Sequence, residues 1–429
     1  MEKLKSDVCI FLVQINLVLA FIKFLYLLVS VVLCYHISIK VLFMYIGYNS
    51  NVIRTHNKAA ILRLVLAGRA KTRLQLAEAS GLTKMTVTNL VSDLLNQDIF
   101  QELTTTTSGK GRPTSELCLS SKAPKIIGVY LDTNKGSVVL CDLLSNVIQS
   151  HSFDITENTE AFVYQKISES IDSILRTSIN ERIHSICVIT PLLISHEDGS
   201  ISMTGNSAEK LFIKQYLEGR YKLPSLLAHE SDAAASLEAL FGSGTGFANF
   251  IYISLGPEIR SSIVQNGVVI ANKSGFGPSF GHVSIDYNGL SCACGNRGCL
   301  QSYVSTQAME KKMKDITKLK LDFIGFCEMQ QKKNDSRIDW ALKDMMDKLG
   351  FAIVSIANIL NIEAVIFGGV SSAIPDRYFQ KLEKTISGKN VGLQREIKIL
   401  KASIVGNSKE HGYSMPLLNN VLYGIEELK

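Results

Sequence analysis

The sequence predicts an α/β protein in which a small helical domain precedes two successive lobes. From Lys125 onward, short apolar runs typical of buried strands alternate with longer amphipathic patterns typical of helices. This alternation occurs twice, once from Ile126 and again from Phe250. Between residues 51 and 120 the pattern is helical instead. Two α/β lobes in succession, each a sheet with flanking helices, predict a ligand cleft between them.

The length and composition limit the possible classes of protein. A chain of 429 residues can hold two or three domains. We predict an apolar segment at 1–50, the helical domain at 51–120 and the two-lobed region at 121–429, with lobes of about 121–240 and 241–429. The net charge of +6 permits binding to nucleic acid without requiring it. The nine cysteines are too few and too scattered for a disulfide framework.

The apolar segment from Val8 to Ile46 has two competing explanations. One or two membrane spans fit its length, since about 20 apolar residues cross a bilayer. A single span with Lys3 and Lys5 inside would place the next domain outside the cell, which disagrees with a domain built for DNA. We therefore favour a cytoplasmic protein whose natural translation starts at Met44, with membrane attachment only if residues 1–43 are genuine.

The region 51–120 is expected to contain a helix-turn-helix. Amphipathic patterns predict helices over Ala59–Leu66, Arg73–Ser80 and Lys84–Asn96, with Gly81 breaking the second helix. Thr72 and Thr83 are the residue type that caps helix N-termini. The apolar positions of the second helix are Leu74, Leu76 and Ala77, and the inward face of the third is expected to carry Val87, Leu90, Val91, Leu94 and Leu95.

The outward face of the third helix and a following glycine-rich hairpin predict contact with double-stranded operator DNA. A loop with two basic residues at its tip suits a wing along a phosphate backbone, and polar side chains on a recognition helix suit base edges. The alternative is a helical domain used for protein contact. The candidate DNA contacts are Thr72, Arg73, Thr83, Lys84, Thr86, Thr88, Asn89, Lys110 and Arg112.

Each lobe is expected to begin with strands. The predicted elements of the first lobe are strands at Ile126–Leu131, Ser137–Cys141 and Ile183–Ile189 and a helix at Ala161–Arg176. Those of the second are strands at Phe250–Leu255, Ser261–Val269 and Ala364–Phe367 and helices around Leu300–Lys314 and Ile338–Leu360. We expect Trp340, within the last helix, to belong to the core.

One imidazole and three thiols fall within eighteen residues, at His282, Cys292, Cys294 and Cys299. These are the ligands of a closed tetrahedral zinc site, with no position left for a catalytic water. The sequence therefore predicts structural Zn²⁺. Reduced cysteines without metal, or a local disulfide, are the alternative.

The chain from about Val52 to its end resembles the ROK family of repressors, open reading frames and sugar kinases. The resemblance rests on the cysteine cluster after Gly281-His282, the turn Gly368-Gly369-Val370 and the helix-turn-helix ending in Gly111-Arg112-Pro113. It implies an actin-like two-lobed region that binds a sugar or sugar derivative, and a homodimer or homotetramer. The N-terminal domain implies a transcriptional repressor of carbohydrate-utilisation genes.

The alternative within the family is a sugar kinase with an auxiliary helix-turn-helix domain. Kinases of this fold hold ATP with two glycine-rich loops that resemble D-x-G-G-T and L-G-T-G-I-G-G-G. Here the matching stretches are Tyr130 to Asn134 and Leu255 to Ser262, and most of the glycines are replaced. Because backbone N–H groups can no longer approach phosphate closely, we expect no kinase activity and no catalytic residue.

The resemblance also implies a sugar site. Asp232 aligns with the kinases' carboxylate base, but the Asn before it is Ser231 and the Glu of Glu-x-Gly-His is Ser279. Asp232 could instead serve the N-terminus of a helix, and His282 could be a metal ligand only. A repressor that has lost its sugar response stays an alternative. The candidate sugar contacts are Asn206, Ser231, Asp232, Ser279, His282 and Gln301.

Overall fold

A computed structural model describes residues 50–105, 114–157, 159–203, 210–270, 279–387, 396–404 and 412–422. The apolar segment predicted at 1–50 lies outside these residues, apart from Ser50. In the part of the chain that is described, no helix combines the length and the apolar composition required to cross a bilayer.

The N-terminal region consists of three helices and an antiparallel hairpin, namely α1 (Ser50–Leu66), α2 (Arg73–Ser80), α3 (Lys84–Asn96), β1 (Phe100–Thr105) and β2 (Thr114–Leu119). The Thr72 hydroxyl accepts the Gln75 N–H at 3.3 Å, and the Thr83 hydroxyl accepts the Thr86 N–H at 3.2 Å. Gly81 ends α2 with a φ of +69°, a conformation that favours glycine. The predicted bounds of α2 and α3 agree with the structure.

Helix α3 buries the face predicted for it, and α2 buries two of its three apolar residues. Val87, Leu90 and Leu94 of α3 are buried, as are Leu76 and Ala77 of α2. Leu74 of α2 is 51% exposed. It lies two residues before Leu76, which is about 200° around the helix axis, so one stripe cannot include both.

The first lobe contains a five-stranded sheet in the order β10-β6-β3-β4-β5. Its strands are β3 (Lys125–Leu131), β4 (Lys135–Cys141), β5 (Val147–Asp154), β6 (Ile183–Thr190) and β10 (Ser225–His229). The short strands β7 (Leu193–Ser195), β8 (Ser200–Ser202) and β9 (Lys210–Leu211) form a separate sheet. Helices α4 (Glu160–Thr177) and α5 (Ile213–Tyr221) cover one face of the large sheet.

The second lobe repeats this topology, with the strand order β13-β12-β11-β14-β15. In both sheets the first three strands form an antiparallel meander, and two further strands add in parallel beside the first. The strands are β11 (Phe250–Leu255), β12 (Arg260–Gln265), β13 (Val268–Val269), β14 (Ala364–Gly369) and β15 (Lys398–Lys401).

Among the described residues, the α-helices of the second lobe are α7 (Gln301–Val304), α8 (Thr306–Thr317), α9 (Phe323–Lys333), α10 (Ser336–Ala357) and α11 (Asp376–Ser387). The prediction that Trp340 is core is wrong, since 56% of the residue is exposed. Helix α10 buries Ile338, Ala341 and Leu342 instead, so Trp340 points outward, with Lys312 Nζ 4.2 Å from its ring centroid.

Helix α6 (Glu230–Phe241) lies between the two large sheets. Ala233, Leu237 and Leu240 pack into the core of the first sheet. Ala235 and Ala239 pack into the core of the second sheet. Both sets follow helical spacing on different faces, so this one helix joins the lobes.

The chain returns to the first lobe at its C-terminal end. Helix α12 (Met415–Leu422) packs in the same core cluster as β3, β4 and α6. A side chain on Gly128 of β3 would collide with the Tyr413 ring, since its Cβ would lie 2.4 Å from it. Residues 412–422 therefore complete the first lobe, although the segment predicted for that lobe ends near residue 240.

A buried carboxylate fixes α6 to the second lobe. Glu238 is 2% exposed and accepts backbone N–H groups from Ser243 at 2.6 Å, Ser403 at 3.0 Å and Ile404 at 2.9 Å. Hydrogen bonds to an ionised acceptor are stronger than neutral ones. Glu238 thus connects the shared helix to the segment that follows β15.

Replacing Glu238 by Ala is expected to lower the free energy of unfolding by roughly 3 kcal/mol, because three backbone N–H groups lose the acceptor that the buried Glu238 side chain supplies. Glu238→Gln keeps one acceptor oxygen and should have a smaller effect. Urea denaturation measures both. The exposed Glu78→Ala serves as control and should stay within about 0.5 kcal/mol of wild type. An equally small effect for Glu238→Ala would contradict this role.

Candidate ligand cleft and metal cluster

The loop from His282 to Cys299 brings four donor atoms together. The ligand atoms of His282, Cys292, Cys294 and Cys299 all lie within 4.8 Å of one another. Cys292 Sγ is 3.5 Å from His282 Nδ1, and Cys294 Sγ is 3.6 Å from Cys299 Sγ. The cysteines are free thiols, so the local disulfide considered for this cluster is not formed.

These separations match the edges of a coordination tetrahedron. Metal–sulfur bonds of about 2.3 Å and metal–nitrogen bonds of about 2.1 Å give S···S and S···N edges of about 3.8 Å and 3.6 Å at the tetrahedral angle. The backbone holds this shape: Gly298 has a φ of +67°, and a Cβ there would lie 1.7 Å from the Asp286 carbonyl oxygen. The four residues can therefore hold one metal ion.

The thiols of Cys292 and Cys299 differ in acidity. The backbone N–H of Cys294 is the largest of the effects that lower the pKa of Cys292, which falls to about 6. Burial raises the pKa of Cys299 to about 12, and the neighbouring Cys294 adds to this effect. A bound cation would favour the thiolate at every position.

The candidate DNA contacts occupy the exposed side of the N-terminal helices. Lys84, Thr88 and Asn89 of α3 are exposed, whereas Thr86 is half-buried and its hydroxyl lies 2.9 Å from that of Thr83. Arg73 forms an ion pair with Glu102 on β1. Thr72 caps α2, and Lys110 and Arg112 lie outside the described residues.

Three of the candidate sugar contacts gather where α6 begins and β12 runs past it. Asp232 accepts a hydrogen bond from Ser262 Oγ at 2.6 Å. Ser231 is buried and its hydroxyl contacts the Ser261 carbonyl at 3.2 Å. Gln301 accepts the Ile259 N–H at 3.0 Å through its side-chain oxygen. Ser231 and Gln301 thus use these groups within the protein.

The other candidates are peripheral or outside the described residues. Ser279 is exposed, and its carbonyl accepts the His282 N–H at 2.8 Å. His282 faces the cysteine cluster through Nδ1. Asn206 lies outside the described residues. Asp232 is the candidate with the most perturbed chemistry, since burial raises its pKa to about 6.

Sequence reasoning missed a polar cluster that joins the lobes, formed by Tyr130, His229, Glu230, Glu258 and Arg260. We call it the interlobe polar cluster. Arg260 of β12 contacts Glu258 Oε2 at 2.7 Å, His229 Nε2 at 2.7 Å and Glu230 Oε1 at 3.8 Å. Tyr130 donates to Glu230 Oε2 at 3.3 Å. The sequence did contain a sign of this cluster, because Arg260 and Glu258 are charged residues at positions where the second phosphate loop has glycines.

The protonation of this cluster follows from Arg260. Burial, followed by the Arg260 charge, lowers the pKa of His229 to about 4, so its imidazole is neutral at pH 7. Nδ1 of His229 accepts the Ser231 N–H at 3.3 Å and lies 2.8 Å from Ser231 Oγ. Nε2 lies 3.3 Å from the Pro191 carbonyl oxygen and 2.7 Å from Arg260. Burial raises the pKa of Glu230, whereas the nearby Arg260 lowers it.

The contacts of Arg260 differ from those expected in a phosphate loop. In a phosphate loop, glycines let backbone N–H groups surround the anion. Here the Arg260 side chain pairs with two carboxylates, those of Glu258 at 2.7 Å and Glu230 at 3.8 Å.

Comparison with known proteins decides the family. Residues 126–412 match the model of the ROK family. The chain belongs to the ROK family. This assignment confirms the resemblance inferred from the sequence, and it covers both sheets and the metal cluster.

Two relatives of known name align with most of this chain. The xylose repressor of Bacillus subtilis is 26% identical over 321 residues, covering 73% of this chain and 82% of the relative. The DNA-binding transcriptional dual regulator NagC of Escherichia coli is 26% identical over 335 residues, covering 75% and 82%. A crystal structure of a ROK family transcriptional regulator, described as a homologue of the E. coli MLC protein, aligns with a TM-score of 0.73 at 22% identity, covering 87% of this chain and 98% of that one. It shows that the fold is shared.

Replacing Cys294 by Ser is expected to abolish metal binding by this ROK protein, because a hydroxyl is a poor substitute for a thiolate ligand. Elemental analysis and native mass spectrometry should find about one ion per wild-type chain and almost none on the variant. Cys118→Ser, outside the cluster, is the control and should keep the ion. A Cys294→Ser variant with full metal content would refute the ligand set.

Asp232→Asn is expected to raise stability at neutral pH by on the order of 1–2 kcal/mol, because the buried carboxylate no longer has to ionise. The folded chain holds the Asp232 proton more tightly than the unfolded chain, whose carboxyl titrates near 3.8. Wild-type stability should therefore fall relative to the variant as the pH rises from about 4 to about 6.

Urea denaturation across this pH range measures the difference. The free energy of unfolding of the control variant Asp315→Asn, changed at an exposed position, should vary with pH as that of wild type does. Parallel curves for Asp232→Asn as well would mean that Asp232 does not titrate with a raised pKa.

Proposed function

We propose that this ROK protein is a transcriptional repressor that binds operator DNA and responds to a sugar or sugar derivative. Residues 51–120 act as a winged helix-turn-helix, with α3 as the recognition helix. Residues 121–429 act as the sugar-sensing region. The protein controls carbohydrate-utilisation genes in the cytoplasm, as a homodimer or homotetramer.

The exposed polar face of α3 is the observation that carries this proposal. Lys84, Thr88 and Asn89 face outward while the apolar residues of the same helix face the core. Asn pairs with adenine edges and Lys with guanine edges or phosphates. The names of the relatives, a xylose repressor and a DNA-binding regulator, support the same function.

A repressor without kinase activity fits the cleft better than a kinase does. Arg260 and Glu258 stand where the kinases' second phosphate loop has glycines, and Tyr130 stands where the first loop has its Asp. Loss of both loops removes the groups that would position a triphosphate. We therefore propose that the cleft does not catalyse phosphoryl transfer and that the lobes serve to sense a ligand.

The sugar site is proposed around Asp232. Its carboxylate lies between the lobes beside Ser262, where it can accept hydrogen bonds from sugar hydroxyls. Asn206, Ser279 and His282 are further proposed contacts, whereas Ser231 and Gln301 position their neighbours. The metal is proposed to be structural Zn²⁺, because three thiolates and one imidazole form a closed tetrahedral set.

Asn89→Ala is expected to weaken operator binding about 5- to 100-fold, since one good base contact is worth about 1–3 kcal/mol. Fluorescence anisotropy with the promoter DNA of the protein's own gene measures this, at several salt concentrations. Asn96→Ala is the matched control, because Asn96 is also exposed but lies at the other end of α3.

The control should change affinity less than twofold, as expected for a residue without DNA contact. Equal losses for both variants would argue against α3 as the recognition helix. Wild-type protein with no salt-sensitive, sequence-selective DNA binding under any sugar condition would refute the proposed function.

A further inference from the structure

The N-terminal helical domain contacts both lobes of its own chain. It shares a hydrophobic core with the first lobe: Leu62, Leu94 and Leu117 belong to the same cluster as Ile126 and Val139. In that cluster, as far as the described residues go, no member comes from the strands of the second sheet. The first lobe therefore carries the helical domain.

Polar contacts reinforce this attachment. Arg182, in the turn before β6, donates to the Gln97 carbonyl at 3.1 Å, immediately after α3 ends. Lys58 of α1 donates to the Gln97 side-chain oxygen at 3.0 Å. The end of α3 is thus fixed to the base of the first sheet.

The contact with the second lobe is made by Arg63 of α1. Its Nη2 donates to the Gly267 carbonyl oxygen at 2.8 Å, across 204 positions of sequence. Arg63 is half-buried, and burial is the larger of the effects that lower its pKa. A half-buried guanidinium that donates to a carbonyl is a specific contact, unlike an exposed ion pair.

Gly267 belongs to a rigid turn. Asn266 and Gly267, with φ of +51° and +74°, connect β12 to β13 as a two-residue hairpin turn. The Gly267 N–H donates to the Ala248 carbonyl at 2.7 Å, and the Asn266 N–H donates to Asn249 Oδ1 at 3.0 Å. The turn therefore moves with the residues that lead into β11.

Glu363 extends this connection to the base of the second sheet. Its carboxylate accepts the N–H groups of Ala248 at 2.7 Å and Asn249 at 2.9 Å, directly before β14 begins. Gly267, whose carbonyl accepts from Arg63, is therefore linked by hydrogen bonds to the residues directly before β11 and β14. If the second sheet moves, the acceptor of the Arg63 hydrogen bond moves with it.

We propose that the Arg63–Gly267 hydrogen bond couples the angle between the lobes to the orientation of the DNA-binding helices within a single chain. The inference rests on the proposed function. The first lobe carries the helical domain, and the second lobe holds α1 through Arg63. A ligand that rotates the second lobe about α6 displaces the Gly267 carbonyl, so α1 either follows it or is released.

Arg63 is a positioning residue in this scheme, and it needs no contact with DNA or sugar. Arg63→Met keeps most of the aliphatic stem but removes the donor. Arg69→Met, at an exposed position of the same domain, removes the same charge and is the matched control. Gly267→Ala breaks the contact from the other side, because its Cβ would lie 2.0 Å from Arg63 Nη2. Asn266→Gly keeps the turn and is its control.

Hydrogen–deuterium exchange on the full-length chain tests the docking without DNA or sugar. Amides of α1 and of the β12–β13 hairpin should exchange about tenfold faster in Arg63→Met and Gly267→Ala than in wild type. The two control variants should match wild type. Unchanged exchange at both elements in Arg63→Met would overturn the inference.

Coupling is measured as the ratio of operator dissociation constants with and without sugar, using D-xylose and N-acetyl-D-glucosamine as probes. This ratio should fall towards one in Arg63→Met and stay at the wild-type value in Arg69→Met, while calorimetry shows unchanged sugar binding. A wild-type ratio in Arg63→Met would overturn the coupling.

Failure of the proposed function gives a different result. In that case the wild-type protein itself does not bind the operator selectively, or its operator dissociation constant is the same with and without either sugar. The exchange measurement then still decides whether Arg63 docks the helical domain on the second lobe, since neither DNA nor sugar enters it.

Discussion

The packing of helix α6 against both large sheets is the contact that joins the two lobes. One face carries Leu237 and Leu240 against the first sheet, and another carries Ala235 and Ala239 against the second. Small residues on that second face let a sheet approach closely. Glu238, held by three backbone N–H groups, fixes the helix to the end of the second sheet. Lobe movement must therefore pivot on this helix, because neither sheet can leave it without exposing its core.

The cleft is where this chain differs from a kinase of the same fold. Replacing glycines by Arg260 and Glu258 removes a phosphate cradle and adds polar contacts across the same gap. Arg260 reaches His229 and Glu230 on the opposite lobe. The Arg260 side chain therefore contributes directly to the contact between the lobes.

The sequence predicted local features well and long-range contacts poorly. Thr72, Thr83 and Gly81 define helix ends through neighbours a few residues away, so their roles can be recognised from the chain alone. The group of one His and three Cys side chains could equally be recognised from the sequence, because its members lie within eighteen residues. Arg63 and Gly267, in contrast, are 204 positions apart, and no local pattern connects them. Trp340 was misplaced because hydrophobicity alone does not say which face of a helix is covered.

The return of residues 412–422 to the first lobe has a consequence for synthesis on the ribosome. The Tyr413 ring packs directly against Gly128, and α12 belongs to the same core cluster as the first sheet. At translation rates of about 5–20 residues per second, roughly 10 to 30 seconds separate the emergence of α6 from that of Tyr413. During this interval the nascent first lobe presents an uncovered apolar surface. The first lobe can therefore reach its final packing only after the C-terminal residues have been synthesised.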